Sequence, residues 1–466
     1  MNLLNEQSID YDFLYEFDVN LLKQNQFIPI IKDDFLIVVA VTHDSNLEYL
    51  SLKYHLPLKK IEVTLSEILF VLEELPRKKS IYSNYIKSLG ISDYSSSYIG
   101  NFVDDLIAFA LDKNSSDIHI ETQQESVRIR FRIDGLLHHF FMFDLAFYTV
   151  ISSVIKLLSS LDITQRRKPQ NGRFSKTIKN RVFDFRVSIM PTIHGESIVI
   201  RILDKKSVNK SLNNLGFEKE MLASIKECIG FSQGLILITG PTGSGKTTTL
   251  YSILKELNSV NKKIITIEDP VEYQIKNIQQ VAINSEINLG FVEVLKDVLR
   301  QDPDILMIGE IRDIESLKIA IQASLTGHLV LATLHANDSI STINRLLDLQ
   351  AEPFLIASTL KAVISQRLVL KLCESCKKET LFNGVKSFEP HACPECNLSG
   401  FKGRLMLNEI LLIDETMASM IAKSTSTFEI INHAKKLGFK KLHDNGIEKV
   451  KQGLTTLAEV YKVTKC

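Results

Sequence analysis

The sequence predicts an α/β protein with a doubly wound core in the second half of the chain. An α+β module precedes it, a small α/β module opens the chain and a cysteine-bearing insertion lies late in it. Three observations lead there. Residues 234–249 read as a buried apolar strand, a glycine-rich turn and the start of a helix. Later apolar runs at 264–267, 305–308 and 329–334 end near acidic or histidine residues, and the carboxyl ends of strands are where a doubly wound sheet gathers its ligands. Residues 127–133 alternate strictly between apolar side chains and arginine, the period of a strand with one buried face.

Composition narrows the classes. The 466 residues are 45% hydrophobic and 24% charged, enough to bury a sizeable core in about two to four domains. Lys plus Arg and Asp plus Glu both count 55, so no global field selects nucleic acid or an anionic membrane. Glu6, Asp10, Asp12, Glu16 and Asp18 precede the first cation, Lys23, the reverse of a secretory or transit signal. Apolar runs such as 35–41 fall far short of the ~20 residues that a spanning helix requires. The expectation is a protein that stays inside the cell and reaches a membrane only through a partner.

Taken in order, residues 1–77 mix short apolar strands with helical patches, interrupted at Pro57, and suit either a docking module or a structural appendage. Residues 78–99, rich in Ser, Tyr and Lys with weak periodicity, read as a linker. The second module spans 100–205: a helix bearing Phe102, Leu106, Ile107 and Phe109, the alternating strand, a helix near 147–161, and a strand pair turning at His194 and Gly195. On the alternating strand Arg128, Arg130 and Arg132 share one face, either a solvated exterior or a guanidinium comb aimed at phosphate across a subunit interface. Polar residues 204–214 suggest a hinge before the core domain, 206–466.

The core carries the chemistry. Gly240, Pro241, Thr242, Gly243, Ser244, Gly245, Lys246 and Thr247 satisfy G-x-x-x-x-G-K-[ST], with Thr248 next on the same helix. In such a loop backbone N–H groups cradle the phosphates of ATP, Lys246 adds charge at the β and γ positions and the Thr247 hydroxyl ligates Mg²⁺. Glu268, Asp269 and Glu272 cluster at the end of the next strand. Residues 305–308 followed by Gly309 and Glu310 supply the acid that a Walker B element needs beside the metal and the attacking water, in an unusual form with the Asp displaced. His335, followed by Asn337 and Asp338, is either a structural strand-end residue or a sensor of the γ-phosphate, while His328 reads as structural.

Four of the six cysteines, Cys373, Cys376, Cys393 and Cys396, read C-x₂-C-x₁₆-C-x₂-C. That spacing closes a tetrahedral thiolate cage on structural Zn²⁺ and leaves no position for water. His391 is near in sequence, but four cysteines suffice; Cys228 and Cys466 read as incidental. Beyond the insertion, apolar spacing at Met417, Met420 and Ile421, at Ile447 and Val450, and at Leu457 and Val460 suits packed helices.

Together, residues 240–247, 267–272, 299–313 and 326–337 resemble the Walker A, Asp box, Walker B and His box of the ATPases that power type II secretion and type IV pilus assembly. The likeness runs from about Ser116 to the end and takes in residues 130–135, 169–173, 366–368 and 446–460. It implies a RecA-like P-loop NTPase core with a PAS-like α+β domain before it, in a cytoplasmic homohexamer at the inner face of the inner membrane. It further implies an inner-membrane platform protein as partner, a possible membrane-anchored recruiter, peripheral membrane association only and no direct nucleic acid. By that resemblance Glu310 positions Mg²⁺ or water, Glu268 and Glu272 polarise the water, and Asp269 supports them. Arg130 and Arg132 act in trans on the neighbour's nucleotide, with Arg173 and Arg186 as weaker candidates. Two positions depart from the family pattern: Asn171 stands in place of a usual Asp and Ala336 in place of a common Thr. The competing reading is a nucleic-acid-translocating RecA-like motor, which the balanced charge and the absence of Trp argue against. A slow nucleotide-gated adaptor is a third.

Overall fold

Asp10 and Asp18 each accept backbone N–H groups at a helix start, opening α1 (Tyr11–Tyr15) and α2 (Val19–Asn25). The apolar runs that follow become β1 (Phe27–Lys32) and β2 (Ile37–Val41), then α3 (Glu48–Tyr54), β3 (Leu58–Glu62) and α4 (Leu65–Leu89). β1 pairs antiparallel and β3 parallel with β2. This is the expected small α/β module. The computed structural model describes residues 9–89, 97–203, 211–283, 290–382 and 385–464.

Residues 78–89, read from sequence as linker, are instead the second half of α4. Ile81 and Tyr85 are buried, and the Tyr85 ring lies 4.6 Å from Phe143 and 4.8 Å from Phe147, so aromatic packing rather than local periodicity holds the helix. Residues 97–99 of that expected linker open the next helix, and its residues 90–96 lie outside the described residues, as do 204–210 of the expected hinge, Glu6 and Cys466.

The second module contains α5 (Ser97–Asp112), β4 (Ser115–Thr122), β5 (Ser126–Ile133), β6 (Leu136–Asp144), α6 (Leu145–Leu158), β7 (Gln170–Ile178), β8 (Arg181–Thr192) and β9 (Gly195–Leu203). Its six strands run β6-β5-β4-β9-β8-β7, antiparallel throughout. Val127, Ile129 and Phe131 on β5 are fully buried and join one core with Phe102 and Ile107 of α5 and Phe147 and Ile151 of α6. The arginine face is left on the other side. Within this module Lys156 and Glu196 form a buried ion pair at 2.8 Å, and Lys156 Nζ also donates to the Gln165 carbonyl at 2.7 Å.

The core is built from α7 (Lys219–Ile229), β10 (Gly234–Thr239), α8 (Lys246–Leu257), β11 (Ile264–Glu268), β12 (Gln279–Ala282), α9 (Phe291–Val298), β13 (Ile305–Ile308), α10 (Ile314–Leu325), β14 (Leu329–Leu334), α11 (Ser339–Asp348), α12 (Pro353–Thr359) and β15 (Leu360–Leu372). A ribbon follows, β16 (Lys378–Phe382) and β17 (Val385–Glu389), then β18 (Phe401–Leu412), α13 (Glu415–Ala422), α14 (Thr427–Lys436), α15 (Leu442–Lys451) and α16 (Leu457–Thr464). The seven-stranded order is β12-β11-β13-β14-β10-β15-β18. β10 lies parallel between β14 and β15 and is buried at every position, which its unbroken apolar sequence requires. Leu235 and Leu237 enter the core on one face of the sheet, Ile236 and Ile238 the core on the other.

The chain divides into two compact units: the elements through β9 together with Cys373–Lys378 and Pro390–Lys402, and the remaining elements. The cysteine-bearing segments, placed by sequence inside the core domain, thus group with the amino-terminal unit. Lys113 accounts for part of this, donating to Asn397 Oδ1 at 3.0 Å while pairing with Glu74. Among the described residues no helix is long and apolar enough to cross a membrane.

Candidate active site and metal centre

Thr239 ends β10, and the chain turns at Gly240 with φ 146°. A Cβ there would lie 2.5 Å from both the Gln366 carbonyl and Ser244 Oγ, so only glycine fits. Gly243 and Gly245 take φ of 79° and 92°, and α8 starts at Lys246 with no side chain capping its first amides. The free N–H groups and the helix dipole make an anion cradle. Lys246 Nζ donates to the Gly240 and Pro241 carbonyls at 2.8 and 3.1 Å, spanning the loop from inside. Burial holds its ammonium below the usual lysine range, against the pull of Glu310. Gln366 staples the loop to β15, donating to the Ser244 carbonyl at 3.0 Å and accepting from Thr249 Oγ1 at 2.9 Å.

The expected acids converge on this loop. Residues 242–248, Glu268, Asp269, Glu272, Glu310 and His335 line one cleft of about 490 Å³ at the carboxyl ends of β10, β11, β13 and β14. His335 Nε2 lies 2.9 Å from Glu310 Oε1, and Arg312 Nε donates to Glu310 Oε2 at 2.8 Å while its Nη1 sits 3.5 Å from Asp269. Hydrogen bonding to Glu310, then its charge, raises the Arg312 pKa further. Glu268 is buried and accepts from Tyr251, Thr266 and Gln280. Sequence reasoning assigned no role to Arg312, Tyr251, Gln280 or Arg404, which also lines the cleft. Arg312 had a visible signal, a cation two residues from the Walker B acid; Tyr251 lies on the helix that begins at Lys246, and Gln280 and Arg404 come from distant segments.

Arg130 and Arg132 lie in the amino-terminal unit, not among the residues lining this cleft. Glu121 holds Arg130 Nη2 at 2.5 Å and Arg128 Nη2 at 3.3 Å. Arg132 Nη1 donates to the Gly135 carbonyl at 2.8 Å and its Nε lies 3.8 Å from buried Asp117. Strand pairing then sets Arg132, Asp117, Arg201, Arg186 and Arg173 directly opposite one another in a row across β5, β4, β9, β8 and β7. Arg201 Nε donates to Asp117 at 3.0 Å, and Arg173, Arg186 and Arg201 line a groove of about 530 Å³. Arg201 is the member that the sequence did not single out.

The Sγ atoms of Cys373, Cys376, Cys393 and Cys396 all lie within 4.8 Å of one another. Three of the Sγ–Sγ edges measure 3.8, 3.8 and 3.6 Å. A tetrahedron with zinc–sulfur bonds of ~2.3 Å has edges of about 3.8 Å, which these three edges match, so four thiolates so placed fit zinc. The Gly400 amide points at Cys396 Sγ at 3.2 Å, a contact that supports a thiolate. His391 contributes its carbonyl near Cys376 Sγ, while its ring is not part of the cluster.

Comparison with known proteins agrees with this geometry. Residues 93–462 match the family described as Type II/IV secretion system protein. The chain is 39% identical over 406 residues to the Type II secretion system ATPase E of Vibrio cholerae, covering 84% of this chain and 79% of that protein. It is 42% identical over 368 residues to the Type IV pilus assembly ATPase PilB of Myxococcus xanthus, covering 75% and 65%. Among solved structures, the pilus retraction motor PilT with bound ADP superposes with a TM-score of 0.56 at 25% identity, over 77% of this chain and 96% of that one. A phosphate cradle, a Walker B acid and a strand-end histidine meeting in one cleft, on a chain with these relatives, place it in the Type II/IV secretion system protein family.

Proposed function

We propose that this protein is an ATPase that drives assembly of a pilus or pseudopilus, in type II secretion, type IV pilus extension or DNA uptake. The observation that carries the reading is the meeting of the Lys246 loop with Glu268, Glu310 and His335 in one cleft. Lys246 and the backbone N–H groups of residues 242–247 hold the β- and γ-phosphates, with Thr248 beside them, and Glu310 orients the attacking water. Thr247, with Glu310 in the same cleft, would hold Mg²⁺, which would supply neutralisation of charge on the phosphate oxygens. Glu268 and Glu272 polarise the water, Asp269 anchors Arg312, and His335 responds to the γ-phosphate through Glu310. The subunits form a homohexamer in the cytoplasm at the inner face of the inner membrane, docked on an inner-membrane platform protein and a membrane-anchored recruiter. Arg130 and Arg132 of one subunit serve the nucleotide of the next.

The test measures ATP hydrolysis by the full chain alone, with single-stranded DNA, and with the cytoplasmic domain of a platform protein. Stimulation by the platform domain is expected. Stimulation by DNA alone would replace this reading with the nucleic-acid motor.

Structural zinc at the four cysteines gives a second expectation. Elemental analysis should find one zinc per chain, and Cys393→Ser should lose it and open residues 373–396 to proteolysis, because so small a segment lacks a core of its own. Metal-free protein with the same protease resistance would remove zinc from the account.

A further inference from the structure

We propose that Tyr251 is a positioning residue for Glu268, tying the helix that carries the phosphate-binding lysine to the acid at the end of β11. The inference rests on the reading of Glu268 as a group that polarises water.

Glu268 is only 4% exposed, and a carboxylate removed from water must find donors to replace its hydration. It finds three. The Tyr251 hydroxyl donates to Oε2; Thr266 Oγ1 and Gln280 Nε2 donate to Oε1 at 2.6 and 3.1 Å. Each donor is fixed from a different direction. Thr266 sits two residues earlier on the same strand face. Gln280 lies opposite Thr266 on β12; its Oε1 accepts from the Ile275 amide at 2.7 Å, and its Nε2 also donates to the Tyr273 carbonyl at 3.1 Å. Tyr251 is fully buried on α8, its ring 4.5 Å from that of Tyr273 at 60°. Burial, then the bond to Glu268, raises the phenol's pKa far above its ordinary value, so it remains a donor.

Thr266 and Gln280 belong to the sheet and move with Glu268. Tyr251 alone of the three belongs to the helix that begins at Lys246. Its hydroxyl therefore registers the phosphate cradle against the acid, fixing which oxygen lone pairs remain directed at the cleft. Charge resides on Glu268 itself; Tyr251 contributes orientation, and a base must stand within about 2.6–3.2 Å of the proton it takes.

Tyr251→Phe keeps the ring and its packing and removes the one hydroxyl. In steady-state hydrolysis by the full chain, kcat should fall about 10- to 100-fold, part of the ~10²–10⁴ that a positioned base contributes. KM and the dissociation constant of a fluorescent ATP analogue should stay at wild-type values, while the thermal midpoint falls by a few degrees because a buried carboxylate loses one donor. The hydroxyl also accepts from the Glu272 amide at 3.3 Å and from Gln280 Nε2 at 3.5 Å, long contacts beside its bond to Glu268, so added to Glu268→Gln the substitution should cost far less than it does alone. Wild-type kcat in the single variant, or an equal further loss in the Glu268→Gln background, overturns the inference while leaving the site reading intact. A fully active Glu268→Gln overturns the inference together with the role given to Glu268.

Discussion

Glu310→Gln should abolish turnover while sparing nucleotide binding: phosphate release falls by about 10²- to 10⁴-fold, the scale of losing a positioned catalytic carboxylate. His335 and Arg312 approach different oxygens of Glu310, at 2.9 and 2.8 Å; glutamine keeps the shape and one acceptor oxygen and turns an NH2 group toward the other partner, so charge and one hydrogen bond are lost while the local packing survives. Two cationic or donor groups then face an amide. The partner left without an acceptor can turn to water, because Arg312 is 62% and His335 48% exposed. Binding should persist because Lys246 and the loop amides, which hold the phosphates, gain nothing from Glu310 beyond a modest attraction. The measurement pairs a phosphate-release assay with titration of a fluorescent ATP analogue. Activity within about tenfold of wild type, that is within ~1.4 kcal/mol of the original barrier, would move the water-positioning role to Glu272 or Glu268.

What could be read in advance follows from how far apart the contributing residues lie in the chain. The strand, loop and helix from β10 into α8 are contiguous, and a continuous apolar run followed by three glycines at set intervals has few other solutions. The alternation on β5 was equally local, and its buried face is the one the pattern required. The second half of α4 was not legible, because what stabilises it is the ring of Phe143 more than fifty residues on. The arginine row failed for a related reason: which of Arg173, Arg186 and Arg201 stands opposite which depends on hairpin register, and a shift by one residue would send every member to the apolar face. Nothing in the sequence singles out Tyr251. Only the approach of β11 shows that its hydroxyl has a partner.

Arg132→Ala should lower hydrolysis by ~10³- to 10⁵-fold, the range for removing a guanidinium supplied to a phosphoryl-transfer site. Arg132 is the sharper choice than Arg130. Arg130 is held by Glu121 in a short ion pair, so it must first leave a carboxylate it shares with Arg128. Arg132 gives up one carbonyl bond and a 3.8 Å approach to Asp117, and Asp117 retains Arg201 at 3.0 Å when it does. Charge therefore stays balanced within the sheet if Arg132 swings toward an external phosphate. Whether that phosphate belongs to another subunit is decided by mixing Arg132→Ala chains with Lys246→Ala chains. Each variant alone lacks one half of every site, so each alone is inactive in either geometry. If the arginine acted within its own chain, the mixture would stay inactive too. If it acts on the neighbour, a Lys246→Ala chain still offers its arginine to the intact cradle of an Arg132→Ala chain. Random assortment of equal amounts in a closed ring makes about a quarter of the interfaces competent, one half multiplied by one half. Recovery toward that fraction after co-assembly is the expected result, and no recovery in verified mixed rings would confine Arg132 to its own sheet.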